Sequence, residues 1–344
     1  MPTLRGDLRR LDALLAGVEA DFARAFIAAF SQVRKAANTR RAIAALERGQ
    51  VEQAIAALNL RADLLYPIDQ ALSSAYAAGA LSIGAGIPAR AGVLGFDGRA
   101  VRAEMWARDH VGSYIQQVVA SQVEMARDVI VNQLQAGKGP RAVITDLVGR
   151  VGPAGRQGGF IGLTKSQAGY VDGLIRPDGT LRRGMRQELE GLSNSYFNRK
   201  LRDRRFDAAV RKAIESGKPL PKELQERILG RYKDRLLAHR AETIARTESI
   251  TALRAGREEG IQQAIDNGII DPTKITKVWD ATGDKRMRED HKIMHNKRVS
   301  GVNTPFVFPD GSLAQFPGDT SLGAPPEQVI NCRCVVRYEI DYLS

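Results

Sequence analysis

Apolar residues recur at spacings of three and four through Leu8, Leu11, Leu15, Val18, Phe22, Phe26, Phe30 and Val33. That rhythm draws a single stripe along a helix and predicts a long first helix with one packing face. Two more helices are expected over 42–58 and 62–78. Glycines and Pro88 then gather between 79 and 98 and break the pattern, so a boundary is expected there.

The helical period resumes over 100–134, through Met105, Val111, Ile115, Val118, Met125, Val129 and Leu134, and Gly137-Lys138-Gly139-Pro140 is a strong stop. The methionines and Trp106 on this segment read as core or partner-helix contacts rather than a cofactor box. Residues 149–162 are glycine-rich but lack the Gly-Lys-Ser/Thr ending of a phosphate loop, and are expected to be a flexible connector. Thr164 and Gln167 form a capping box that opens a helix running to about Ile175. After a turn at Pro177-Asp178-Gly179, a helix from Met185 leads into the most concentrated basic stretch of the chain. Arg199, Lys200, Arg202, Arg204 and Arg205 are candidate DNA contacts, although Asp203 interrupts them and a solvated helix face fits the same charges. Ser216-Gly217 closes that helix. Pro219 and Pro221 open another, which carries Ile228, Leu236, Ile244 and Ile250 and ends near Asn267-Gly268, a left-handed cap signal.

The tail changes character. Residues 275–281 read as a strand, Pro309-Asp310-Gly311 as a turn, and 332–340 alternate so that Cys332, Cys334, Val336, Tyr338 and Ile340 share one face. The predicted class is therefore α+β, a long helical body followed by a small β-rich domain. The expected organisation is 1–98, 99–268 and 269–344.

Composition adds two constraints. The 344 residues carry a formal net charge of +12, which implies attraction to polyanions without specifying one. The two cysteines stand one residue apart, poorly placed to bridge each other and with no wider disulfide framework, which suits a reducing cytoplasm. No segment reads as a secretory leader or a membrane span.

The candidate chemistry lies in the tail. Cys332 and Cys334 from one strand face, with His291 and His295 four apart on a helix face, make a candidate zinc site. The same cysteines also serve as small core hydrophobes, and zinc is not required by anything in the sequence. His291-Lys292-Ile293-Met294-His295 lacks the glutamate general base of the metalloprotease helix. Asp284, Glu289 and Asp290 read by default as solvated ion-pairing carboxylates.

The order Trp279, Asp284-x-Arg286-x-Arg288-x-x-His291, Phe306 and Phe308, Pro317-Gly318-Asp319 and Asn331-Cys332-Arg333-Cys334 resembles the C-terminal signature of the Mu F-like phage head-morphogenesis proteins. Residues 240–248 resemble the helix that often precedes it. The resemblance implies a low-copy virion protein, assembled in the host cytoplasm and associated with the portal or the capsid interior, with portal, major capsid or scaffold protein as partners and packaged DNA as a non-specific contact. It implies no established catalysis, and it does not supply the four-ligand zinc set. Two other readings stay open: a metal-dependent nuclease or hydrolase using His291, Asp284 and the cysteine region, and a plain non-specific DNA-binding protein using the arginine-rich helices.

Overall fold

A computed structural model describes residues 4–153, 155–175, 181–281 and 287–342. The expected Pro177-Asp178-Gly179 turn lies outside the described residues. The class is α+β: long helices, and short antiparallel sheets whose three-stranded member lies near the C-terminus. The chain divides into two compact units, each assembled from separated segments: 1–25, 68–113 and 242–344 in the first, 26–67 and 114–241 in the second.

The apolar stripe does form one helix, Leu4–Ala36, burying Leu11, Leu15, Phe22, Phe26, Phe30 and Val33. The helix expected over 42–58 is instead two, Thr39–Glu47 and Val51–Ala57, because Gly49 takes a left-handed φ of 74° and turns the chain between them. Gly79 does not end a helix either. It lies inside Tyr66–Gly84.

In the first unit the reason is close packing against the helix Lys222–Asp266. A Cβ at Gly79 would sit 1.9 Å from the Leu253 carbonyl oxygen, one at Gly256 would sit 1.8 Å from that of Tyr76, and one at Gly260 would sit 2.7 Å from that of Ala80. Glycine's cost in helix propensity is here the condition for two backbones to touch. The segment over 100–134 is helical, with a π turn at Ala107–Val111 between Val101–Trp106 and Gly112–Gln135. Beyond the left-handed Gly268, strand Ile275–Asp280 pairs antiparallel with Arg298–Ser300 on one side and Val335–Ile340 on the other. Trp279 stands opposite Val336 and anchors a core with Met294, Phe306, Phe308 and both cysteines. Val335 belongs to a separate cluster with Leu11, Leu15, Ile250 and Leu253.

The second unit is organised by buried charge. The segment expected to be a flexible connector is a hairpin, Arg150–Gly152 with Gly155–Gln157, followed by the fully buried Phe160, Ile161 and Leu163. Its backbone is held by buried side chains. Arg34 donates to the carbonyls of Gly159 and Ile161, Arg240 donates to that of Gly162, and Gln122 both accepts from the Gly162 N–H and donates to the Leu163 carbonyl. A buried loop needs such partners for its peptide groups. Nearby, Asp146 accepts from Lys233 at 2.7 Å, Lys138 at 2.8 Å, Gln133 at 3.0 Å and Arg186 at 3.1 Å. The Thr164 hydroxyl and Gln167 amide close the expected capping box, and the helix runs Lys165–Asp172.

Candidate functional site

The tail signature converges on one buried guanidinium, that of Arg254. Its Nη1 donates to the Pro317 carbonyl at 3.1 Å and its Nη2 to the Cys332 carbonyl at 3.0 Å. Gly318, at φ 89°, lies where a Cβ would come within 3.0 Å of both Arg254 Nη1 and Thr251 Oγ1. Asp319 closes the adjoining turn by accepting from the N–H groups of Gln315 and Ser321, each at 2.8 Å. Asn331 takes the left-handed φ of 57° that asparagine tolerates better than most residues, and its N–H donates to Thr247 Oγ1. Arg288 donates to the neighbouring Ile330 carbonyl. Thus Pro317, Gly318, Asp319, Asn331 and Cys332 share one structural task, fixing the two loops that reach Arg254.

Cys332 and Cys334 precede the last strand rather than lying in it, yet both are buried. Helix Glu289–Met294 brings His291 to them, with Nδ1 3.3 Å from Cys334 Sγ and 3.6 Å from Cys332 Sγ. These three donor atoms all lie within 4.8 Å of one another. The Trp279 ring meets His291 edge-on at 5.9 Å between centroids and Phe306 and Phe308 at 5.2 Å each. Hydrogen bonding from Cys334, with the charge of Arg254, opposes burial and pulls the Cys332 thiol well below its usual range. Cys334, donating that bond and itself buried, is pushed up.

His295 is not brought to this cluster. The helix ends at Met294 and the chain turns through Asn296 at φ 64°, so the four-residue helical relation to His291 is broken. The His295 Nδ1 accepts from the Ala281 N–H at 3.2 Å and lies 3.6 Å from Asp280, with the side chain 45% exposed. Asp284 and Arg286 lie outside the described residues. Arg333 is exposed.

Two residues that the sequence does not single out complete the cluster. Gln328 Oε1 accepts from His291 Nε2 at 3.0 Å, while its Nε2 donates to Asp290 at 2.7 Å and Asp310 at 2.9 Å. Arg254 is the other. Neither belongs to a motif with a recognisable spacing, and only the folded chain brings them to the cysteines.

The basic stretch does not form the continuous helix expected from Met185. Helix Met185–Glu190 gives way to short 3-10 turns at Asn194–Asn198 and Arg204–Phe206. Arg199 pairs with Glu188 at 2.7 Å, Arg202 with Asp207 at 3.0 Å, and Arg205 with Asp203 at 2.6 Å. Lys200 and Arg204 are exposed.

The family described as Phage Mu protein F like protein matches residues 204–337, and this match supports the resemblance to the Mu F-like head-morphogenesis proteins. No curated protein and no solved structure matches the chain. Among the described residues no helix is long and apolar enough to cross a membrane.

Proposed function

We propose that the protein is a minor head component that acts in capsid morphogenesis by docking, associated with the portal or the capsid interior, and that its Mu F-like region is an interaction module rather than a catalytic one. The observation that carries this reading is how the signature residues are spent. Trp279 fills a core, Asp319 and Asn331 shape turns, and His291 is 2% exposed with both ring nitrogens engaged. A general base must reach a proton on its substrate, and a ring enclosed in this way has no such access. Portal, major capsid or scaffold protein are the partners this role calls for. Packaged DNA is a further contact, supported by the net charge of +12 and by exposed Lys200 and Arg204.

The test is genetic complementation. A phage lacking the gene should fail in head assembly or infectivity, and a folded Asp284→Asn variant supplied in trans should restore it. If the folded variant docks normally in heads that remain non-infectious, and only a cleavage-competent enzyme restores infectivity, the docking role is wrong and the hydrolase reading replaces it.

A further inference from the structure

The hydrogen-bond chain behind His291 determines which of its ring nitrogens carries the proton. Asp290 and Asp310 are carboxylates, which accept only, so the Gln328 atom between them must be its NH₂ group. The other end of the amide is then the carbonyl oxygen, 3.0 Å from His291 Nε2. An oxygen there requires Nε2 to be the N–H donor. In the neutral ring Nδ1 is therefore left with a lone pair, and that lone pair is the atom 3.3 and 3.6 Å from the two sulfurs. A histidine whose far nitrogen is anchored by an acceptor, itself oriented by carboxylates, is the arrangement that orients imidazole ligands in metal sites.

The spacing fits an ion. Zinc holds thiolate sulfur at about 2.3 Å and imidazole nitrogen at about 2.0–2.1 Å, so a tetrahedral centre separates the two donors by about 3.6 Å. Both nitrogen–sulfur distances lie near that edge length, with the three donor atoms enclosed within 4.8 Å and all three residues buried. The surroundings also hold donors that a metal-bound sulfur can accept from. The Trp279 indole N–H and the Arg254 Nε–H are buried without an acceptor among the described residues, and both side chains pack beside the cysteines.

We propose that His291 Nδ1, Cys332 Sγ and Cys334 Sγ bind one zinc ion, with Gln328 as the positioning residue that sets the histidine tautomer and His295 taking no part. Entry of the ion displaces whatever protons the two thiols still hold, and these leave to solvent. Three protein donors leave one tetrahedral position for a small ligand such as water. The ion would tie helix Glu289–Met294 to the loop that precedes strand Val335–Ile340, so its role in the tail is to staple.

The experiment uses the untagged full-length chain, produced with zinc in the medium and purified without chelator. Elemental analysis should return one equivalent of zinc. Cobalt(II) supplied instead should give the intense thiolate-to-metal absorption and the visible bands of a tetrahedral centre. Cys334→Ser and His291→Ala should lose the metal, whereas His295→Ala should keep it in full. Gln328→Leu should retain a folded chain whose zinc is removed by a competing chelator at about 10- to 100-fold lower concentration. Wild-type protein that holds less than a tenth of an equivalent, and gives no thiolate absorption when titrated with cobalt(II), would overturn the site even if the variants fail to fold. Loss of zinc in His295→Ala would overturn the ligand assignment, and a stoichiometric metal other than zinc would overturn the choice of ion.

Discussion

Replacing Asp146 with asparagine removes the only carboxylate that, among the described residues, reaches Lys233. That lysine's side chain is 2% exposed, and besides Asp146 at 2.7 Å its ammonium meets the Phe160 ring, 4.4 Å from the centroid. The other cations on Asp146 are better placed to survive the change. Arg186 keeps Asp172 and Glu226, and Lys138 is 23% exposed and can turn to water. The loss therefore concentrates on one buried ammonium, and breaking such a pair costs about 3–5 kcal/mol. Burial alone would raise the Asp146 pKa, but Lys233, Arg186 and Lys138 together outweigh it and hold the carboxyl well below its usual range. A depressed folded-state pKa means that the stabilisation is fully present above the unfolded value of about 3.9 and is lost as pH falls below it. Urea unfolding followed by far-ultraviolet circular dichroism should show Asp146→Asn less stable by that amount at pH 7, with a smaller difference from wild type at pH 3. Adding Lys233→Met should recover much of the loss, because the double variant leaves no buried charge unpaired. A cost below about 1 kcal/mol at pH 7 would mean that the carboxylate behaves as a solvated surface pair, and would refute the reasoning.

Two glycine substitutions test the helix packing, and one surface double variant tests the DNA contact. Gly256→Ala should destabilise by about 1–3 kcal/mol or more in thermal or urea unfolding, because its Cβ would meet the Tyr76 carbonyl oxygen at 1.8 Å. Gly17→Ala, on an exposed helical position with nothing within 4 Å, should stabilise by about 0.5–1 kcal/mol; equal effects at the two positions would contradict the close helix contact. Lys200→Glu with Arg204→Glu should weaken DNA binding alike for all sequences and flatten its salt dependence, by about 0.9 in the logarithmic slope for each phosphate left without its cation. An unchanged slope in a filter-binding or anisotropy titration would remove this stretch from the DNA-contacting surface.

Much of the helical body is legible because its signals are local. The stripe from Leu11 to Val33, the Thr164 capping box and the Asn267-Gly268 stop each depend on residues within a turn or two, and each appears in the structure. What escapes the sequence is non-local. Gly79 reads as a breaker until the facing Leu253 backbone is known, and 149–162 reads as a connector until Arg34, Gln122 and Arg240 are seen to saturate its peptide groups. The same holds at the cysteine cluster. The burial of Cys332 and Cys334 follows from alternation with Val336, but the four-residue spacing of His291 and His295 misleads because the helix ends between them. Arg254 and Gln328, which hold the cluster from behind, sit in segments without a motif.

The most direct test of a minor head role is absolute quantification of this protein, by mass spectrometry with labelled peptides, in procapsids and mature heads purified from the phage that encodes it. The account predicts that it is present in both, in copy numbers close to those of the portal ring and far below the major capsid protein, and that it remains after high-salt washing. Absence from washed heads, or a copy number matching the major capsid protein, would contradict it.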